Sequence, residues 1–198
     1  MASSAVTSPQ HETPTSREVL LAAIVEHAAQ SGFSDLSLRQ LAAAVGTSHR
    51  MLLYHFGSKE ALLVAVIREV ERRTREQQLA IFADPRLTPA AAMRRAWRTV
   101  TDPAVAPYER LFFEVYGQAL QGRRDTTRLL EGIVESWLEP FTELGRRQGL
   151  SRREARRVAR LGVAVTRGLL LDLLATGDRA GVNAAYELFV TRVMTPRS

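Results

Sequence analysis

SLRQLAAAVGTSHRMLLYHFGSK, residues 37–59, holds two short helical patterns separated by one glycine and closed by another. In the first pattern Leu38, Leu41, Ala42 and Val45 fall at offsets 0, 3, 4 and 7, which lays one apolar stripe along a helix. Ser37 followed three residues later by Gln40 forms a capping box that starts this helix, and Gly46 stops it. The second pattern begins at Thr47 or Ser48 and runs to about Phe56, where Gly57 breaks it. Ser58 then caps a long helix carrying Leu62, Leu63, Val66, Ile67 and Val70. Upstream, Leu20, Ala23, Ile24, His27 and Ala28 mark the apolar face of a first helix ending near Gly32.

Two short helices joined at Gly46, with small Ala42 where they would cross, have the form of a helix-turn-helix. The glycine supplies the positive φ of a sharp turn, and the alanine permits close approach. Such a unit offers its second helix to the major groove of a duplex. On that helix Leu52 and Phe56 share a face suited to the core, which leaves Ser48, His49, Arg50, Tyr54 and His55 to point outward. Arg bonds guanine O6 and N7 bidentately, worth about 1 to 3 kcal/mol of discrimination, while Ser, Tyr and His reach phosphates or base edges. A solvated surface helix in a bundle would display similar residues. Lys59 tilts the choice, because a cation at a helix N-terminus opposes the helix dipole unless Glu60 or an external anion compensates. A phosphate there would meet both the lysine and free backbone N–H groups.

The chain has 198 residues, a net charge of +6 and 45% hydrophobic residues, an ordinary composition for a folded chain with a core of useful size. Cysteine is absent, which excludes disulfides, cysteinyl zinc sites and a cysteine nucleophile. No charge-free interval reaches a dozen residues, so neither a membrane span nor a secretory leader is expected, and a cytoplasmic location is the default. Lys59 is the only lysine among 27 basic residues. Residues 17–59 carry Arg17, Arg39, Arg50 and Lys59 against Glu18, Glu26 and Asp35. Affinity for a polyanion must therefore come from placement and dimerisation rather than from a broad basic field.

Outside this unit the pattern is helical almost throughout, which predicts an all-α fold. Residues 1–16 lack aromatic residues and any apolar period, and are expected to be a disordered tail. Thr88-Pro89 opens a helix reaching about Val100, and Tyr108 to Leu120 reads as a helix with an aromatic face. Asp125 to about Arg147 reads as another, which Pro140 should end or kink. Ser151 and Glu154 cap a helix reaching Ala175, and Asp178 or Arg179 opens the last one.

Gly32-Phe33, Ser37-Leu38-Arg39-Gln40-Leu41-Ala42, Gly46-Thr47-Ser48, Leu52-Leu53-Tyr54-His55-Phe56 and Lys59-Glu60-Ala61-Leu62-Leu63 resemble the N-terminal domain of TetR-family transcriptional regulators over about residues 17 to 65. The resemblance implies a three-helix DNA-binding domain at 17–63, joined by a long fourth helix to a helical effector-binding and dimerisation domain at 64–198. It further implies that Ser37 and Lys59 hold phosphates, that Arg39, His49 and Arg50 approach bases, and that Tyr54 and His55 lie on the backbone or bases. With Thr47 and Ser48 of the turn, these residues form the expected DNA-contacting set. Leu53 stands where the family commonly has an aromatic residue, so Tyr54 carries more of that contact or the contact is missing. Met51 occupies a position that can face DNA, where only apolar contact is expected.

The same resemblance implies a homodimer paired through its last two helices. Leu161, Val165, Leu169, Ala185, Phe189 and Val193 supply apolar surface for it, and Gly162 and Gly168 permit close packing, though each of these also suits an internal core. A two-fold pair places two recognition helices about 34 to 36 Å apart, or a multiple of that. Trp97, Tyr108, Phe112, Phe113, Tyr116 and Trp137 could line a chamber for a small-molecule effector or simply form core. Arg167 interrupts an apolar stretch and demands a partner: Glu114, Glu135, Asp172 or a ligand anion. The arginines from Arg146 to Arg160 read as a solvated face. No G-x-S-x-G, phosphate-loop or H-E-x-x-H pattern occurs, and His49 and His55 do not share a helix face, so no enzyme, cofactor or metal site is expected. The function implied is a ligand-responsive regulator, a repressor that leaves a palindromic double-stranded operator when its effector binds. An all-α protein-interaction module is the alternative.

Overall fold

Thr15 and Glu18 start the first helix by bonding reciprocally: the Thr15 amide donates to the Glu18 carboxylate at 2.8 Å, and the Thr15 hydroxyl accepts from the Glu18 amide at 3.3 Å. Helix α1 (Ser16–Ser31) follows, then α2 (Leu38–Ala44), α3 (His49–Phe56) and the 25-residue α4 (Lys59–Ala83). These come from a computed structural model that describes residues 15–31 and 37–194. The expected tail lies outside the described residues up to position 14, as do Gly32 and Phe33. Ser37 and Gln40 form the capping box of α2, Ser48 caps α3 by accepting from the Met51 amide, and Ser58 caps α4 by accepting from the Ala61 amide.

The remainder comprises α5 (Pro89–Val100), α6 (Ala106–Leu120), α7 (Glu135–Arg146), α8 (Arg152–Thr176) and α9 (Arg179–Met194), with 3-10 turns at Pro103–Val105 and Thr127–Leu130. Among the described residues there is no strand, so the chain is all-α. The segment from Asp125 to Arg147 is not one helix. Asp125 itself has φ 69°, a left-handed conformation that ends any helical run, and α7 begins ten residues later at Glu135. Pro140 then sits inside α7 without ending it. As the sixth helical residue it forfeits one amide bond to Ser136, near the end where the first four amides are unpaired in any case.

Two apolar clusters hold these helices. One joins Ile24 and Val25 of α1, Leu41 and Ala42 of α2, Leu52 and Phe56 of α3 and Leu62 to Ile67 of α4 to Leu111, Phe112, Val115 and Ala119 of α6. The other joins the far end of α4 (Ile81, Phe82) to α5, α7, α8 and α9 through residues such as Trp97, Leu138, Phe141, Val163 and Tyr186. Phe113 and Val134 pack against both. Helix α4 therefore runs from one cluster to the other, and α6 carries apolar side chains directly under the three N-terminal helices.

Candidate nucleic-acid interface and ligand chamber

The turn between α2 and α3 is a Schellman motif. The Thr47 amide donates to the Ala42 carbonyl at 2.8 Å and the Gly46 amide to the Ala43 carbonyl at 3.3 Å, while Gly46 takes φ 70°. Ala42 is buried, as are Leu52 and Phe56 on the inner face of α3. The outer face carries Arg50, Tyr54 and Met51, with Tyr54 78% exposed; His49 and His55 are half-buried beside them. Tyr54 and His55 meet edge to face at 5.1 Å. Leu53, at the position the resemblance gives to an aromatic side chain, is exposed. Arg39 is exposed on α2.

The hydroxyls of Ser37 and Ser48 also serve as helix caps. The Ser37 hydroxyl donates to Gln40 Oε1 at 2.8 Å, and Ser48 Oγ accepts from the Met51 amide at 3.2 Å. A carboxylate stands beside the N-terminus of α4, the helix that Lys59 opens: Ser58 Oγ donates to Asp125 Oδ2 at 2.9 Å. Sequence alone offers Glu60 or a phosphate at this helix start; Asp125 is 67 positions from Ser58 and carries no local signal. Arg17, which entered only a charge count, ties α1 to the end of α3. Its Nε donates to the His55 carbonyl at 3.3 Å, and its guanidinium stands 5.0 Å over the Phe56 ring.

Between α4, α6, α7 and α8 lies a chamber of about 720 Å³, its open mouth included. Tyr108, Phe112, Trp137 and Arg167 line it as the sequence suggested, together with Val66, Ile67, Val163 and Leu170. Trp97, Phe113 and Tyr116 do not. Trp97 stacks on Tyr186 at 4.2 Å and donates from Nε1 to Asn183 Oδ1 at 2.8 Å, so it joins α5 to α9 instead. Tyr116 and Phe113 lie on and against Phe112, each with ring centroids 5.3 Å away, rather than in the wall.

Arg167 takes none of the carboxylates proposed for it. Glu135 pairs with Arg156 at 2.5 Å and Arg160 at 3.1 Å, Glu114 accepts from Gln118, and Asp172 accepts from Thr176. Its Nη2 donates to the Ile133 carbonyl at 2.9 Å, and the guanidinium stands 5.2 Å over Phe112 and 5.8 Å over Tyr116. A flat, delocalised cation is satisfied by one carbonyl and two ring faces where an ammonium would not be.

Two chamber residues escaped the sequence reading altogether. Glu71 of α4 accepts a hydrogen bond from Trp137 Nε1 at 2.5 Å, and Glu109 of α6 stands in the same wall. Both are half-buried, and both line the chamber. Burial raises the Glu71 carboxyl, against the opposing pull of the Trp137 hydrogen bond, Arg167 and Arg75. Burial, reinforced by the charge of Glu71, pushes Glu109 up to about 8, with Arg167 opposing. In sequence neither stands out. Glu71 sits among alternating Glu and Arg that read as solvated helix pairs, and Glu109 is a first-turn acid that complements a helix dipole.

Tyr108, beside Glu109, connects the chamber to the N-terminal helices: its hydroxyl donates to the Val25 carbonyl of α1 at 2.6 Å. A second link runs over the surface, where Arg73 of α4 bridges Glu69 at 2.7 Å and Glu26 of α1 at 3.2 Å. The paired Arg72 and Arg73 hold Glu69 down at about 2.

At the far end, α8 and α9 leave an apolar strip uncovered. Leu161, Leu171 and Leu188 are 48%, 50% and 60% exposed, and Ala164, Gly168, Ala184 and Ala185 lie on the same helix faces. Val165, Leu169, Phe189 and Val193 are half-buried against the second cluster. Gly168 meets nothing within 4 Å, whereas Gly162 packs inside the protomer, where an added Cβ would lie 3.7 Å from Phe141.

Residues 20–66 match the family model described as bacterial regulatory proteins, tetR family. Over 140 residues the chain is 28% identical to the HTH-type transcriptional repressor NicS of Pseudomonas putida, covering 69% of this chain and 66% of that one. It is 41% identical to the HTH-type transcriptional regulator RutR of Escherichia coli over 54 residues, 27% of this chain and 26% of that one. The chain thus matches just under two thirds of NicS and a quarter of RutR. In fold, the chain superposes on a TetR transcriptional regulator from Legionella pneumophila with a TM-score of 0.70 at 17% identity, over 93% of this chain and 100% of that one.

Proposed function

We infer from the match of residues 20–66 and the likeness to NicS that the chain belongs to the tetR family of bacterial regulatory proteins, and on that premise we propose that it is a ligand-responsive transcriptional repressor that binds a palindromic operator as a homodimer. The observation that carries the reading is the outer face of α3, held at a fixed angle by the Schellman turn and capped by Ser48, with Arg50 and Tyr54 in the open. Arg50, His49 and Arg39 read bases, and Lys59, Tyr54, His55, Ser37, Thr47 and Ser48 hold the backbone. The exposed strip of α8 and α9 pairs with a twin, because isolated apolar strips of this kind mark association surfaces. Residues 17–63 bind DNA and 64–198 bind the effector and the twin; the reaction partner is the operator in the cytoplasm, and no chemistry is performed on it.

Release follows from the shared wall. An effector in the chamber contacts Tyr108, whose hydroxyl holds the Val25 carbonyl, so a shift of α6 pulls on α1 and changes the spacing of the two recognition helices. To swing the population from 1:99 to 99:1 the effector must prefer the released state by about 5.5 kcal/mol. Footprinting on the gene's own upstream region tests the reading: a palindromic protected site is the expected result, and no protection at any promoter overturns it.

A further inference from the structure

We propose that the ligand of the chamber is a lipophilic organic cation carrying a single positive charge, held by Glu71 and Glu109 among the rings of Tyr108, Phe112 and Trp137. The inference rests on the chamber being the effector site and adds the chemical class of the effector. Charge balance is the first reason. Two carboxylates and one guanidinium face the chamber, and the guanidinium is already engaged by the Ile133 carbonyl and two ring faces. One carboxylate is therefore balanced and the other is not. Glu109 has no hydrogen bond or ion pair among the described residues, and an enclosed carboxyl without a partner stays neutral or waits for a cation. An anionic ligand would have to settle against both acids.

The second reason is the wall itself. It is mainly apolar, and Tyr108 and Trp137 add aromatic rings to it, a lining that suits a weakly hydrated organic cation better than a compact, strongly hydrated one. The third is the position of Glu109. A second, open cavity of about 570 Å³, its solvent-filled mouth included, shares Val100, Glu109 and Leu170 with the chamber, so Glu109 stands at the junction of the two. The other charged groups lining that second cavity are Asp102, Arg110 and Arg179; Arg179 donates to the Thr101 carbonyl and Arg110 to the Leu174 carbonyl.

Binding is then an exchange. In the empty protein near neutral pH Glu109 holds a proton, because its carboxyl sits at about 8. The arriving cation takes that place and the proton leaves to solvent, so charge in the chamber is conserved. The titratable and charged groups facing the exchange are Glu71 and Arg75 from α4, Tyr108 from α6 and Arg167 from α8, with only neutral Trp137 from α7. Affinity therefore rises with pH until Glu109 is ionised on its own.

The test uses the full chain and two probes of fixed charge near neutral pH, benzyltrimethylammonium and 3-phenylpropionate. Calorimetry in two buffers of different ionisation enthalpy is expected to give release of close to one proton per cation bound at pH 7. The dissociation constant of the cation should fall by nearly tenfold from pH 6 to 7 and level off above about pH 8. Glu109→Gln should remove the proton release and the pH slope, weaken the cation by at least about tenfold at pH 9, and leave 3-phenylpropionate no weaker. Tighter binding of 3-phenylpropionate than of the cation, no cation binding at millimolar concentration, or a pH slope that persists in Glu109→Gln would each overturn the proposal. Should that variant fold poorly, proton release by the unaltered chain decides alone. A chain that protects a palindromic operator yet prefers the anion refutes the cation and spares the regulator. One that binds the cation but protects no DNA does the reverse.

Discussion

Glu109→Gln should stabilise the protein, and by an amount that grows with pH. The Glu109 carboxyl sits at about 8 in the folded chain, against 4.5 for an unhindered glutamate. Below pH 4.5 both folded and unfolded states hold the proton, and the residue costs nothing. Between the two values the unfolded state has lost its proton while the folded state keeps it, so folding must take up a proton and stability falls as pH rises. Above about pH 8 both are ionised and the loss is complete. At 1.36 kcal/mol per unit the full span is about 5 kcal/mol, and about 2 kcal/mol if water follows the ionised carboxylate into the chamber. Gln has no proton to lose and avoids this cost. Urea melts of both proteins at pH 5, 7 and 9, at one protein concentration, should show the variant's advantage widening by about 2 to 4 kcal/mol from pH 5 to 9. Curves that stay parallel within about 0.5 kcal/mol would show that Glu109 is solvated, and the account of the chamber as a site with an unbalanced acid would fail with it.

Gly46→Ala, at φ 70° and with nothing within 4 Å of the new Cβ, should lose about 1 kcal/mol in a urea melt through backbone strain alone, with operator affinity falling as the turn loosens. Asp125→Asn keeps the acceptor for Ser58 and removes the negative charge at the start of α4, so operator binding in low salt should tighten by roughly two- to fivefold and the gain should fade in high salt; weaker binding would contradict the placement of phosphate there. Lys59→Ala should weaken binding across all sequences and shallow the salt slope, whereas Arg50→Ala chiefly relaxes preference at one base position in a competition assay; identical behaviour would erase the division of roles. Leu188→Glu, on the exposed strip, should give a folded monomer by sedimentation and circular dichroism, and an unchanged dimer would move the interface elsewhere.

The N-terminal unit was legible because its determinants are local. Ser37 and Gln40, Gly46, Ser48 and Ser58 act within four residues of themselves, and amphipathic spacing sorts Leu52 and Phe56 inward from Arg50 and Tyr54 outward. Capping and a left-handed glycine need no knowledge of what packs where. The same locality explains the correct starts of α5 at Thr88-Pro89 and of α8 at Ser151. The all-α class and the resemblance carried by residues 17 to 65 came from this level as well.

Contacts across tens of residues belonged to the tertiary structure alone. The apolar stretch around Arg167 marked it as needing a partner, but only the packing of α8 against α6 and against the segment before α7 could supply Phe112, Tyr116 and the Ile133 carbonyl in place of an acid. Glu71 and Glu109 look like solvated helix residues until four helices close around them, since a carboxylate's environment depends on what surrounds it and not on its neighbours in sequence. Asp125 reaches Ser58, and Tyr108 reaches Val25, over 67 and 83 positions. The local code thus wrote the reading head, while three-dimensional closure decided the chamber, its charge and its connection to that head.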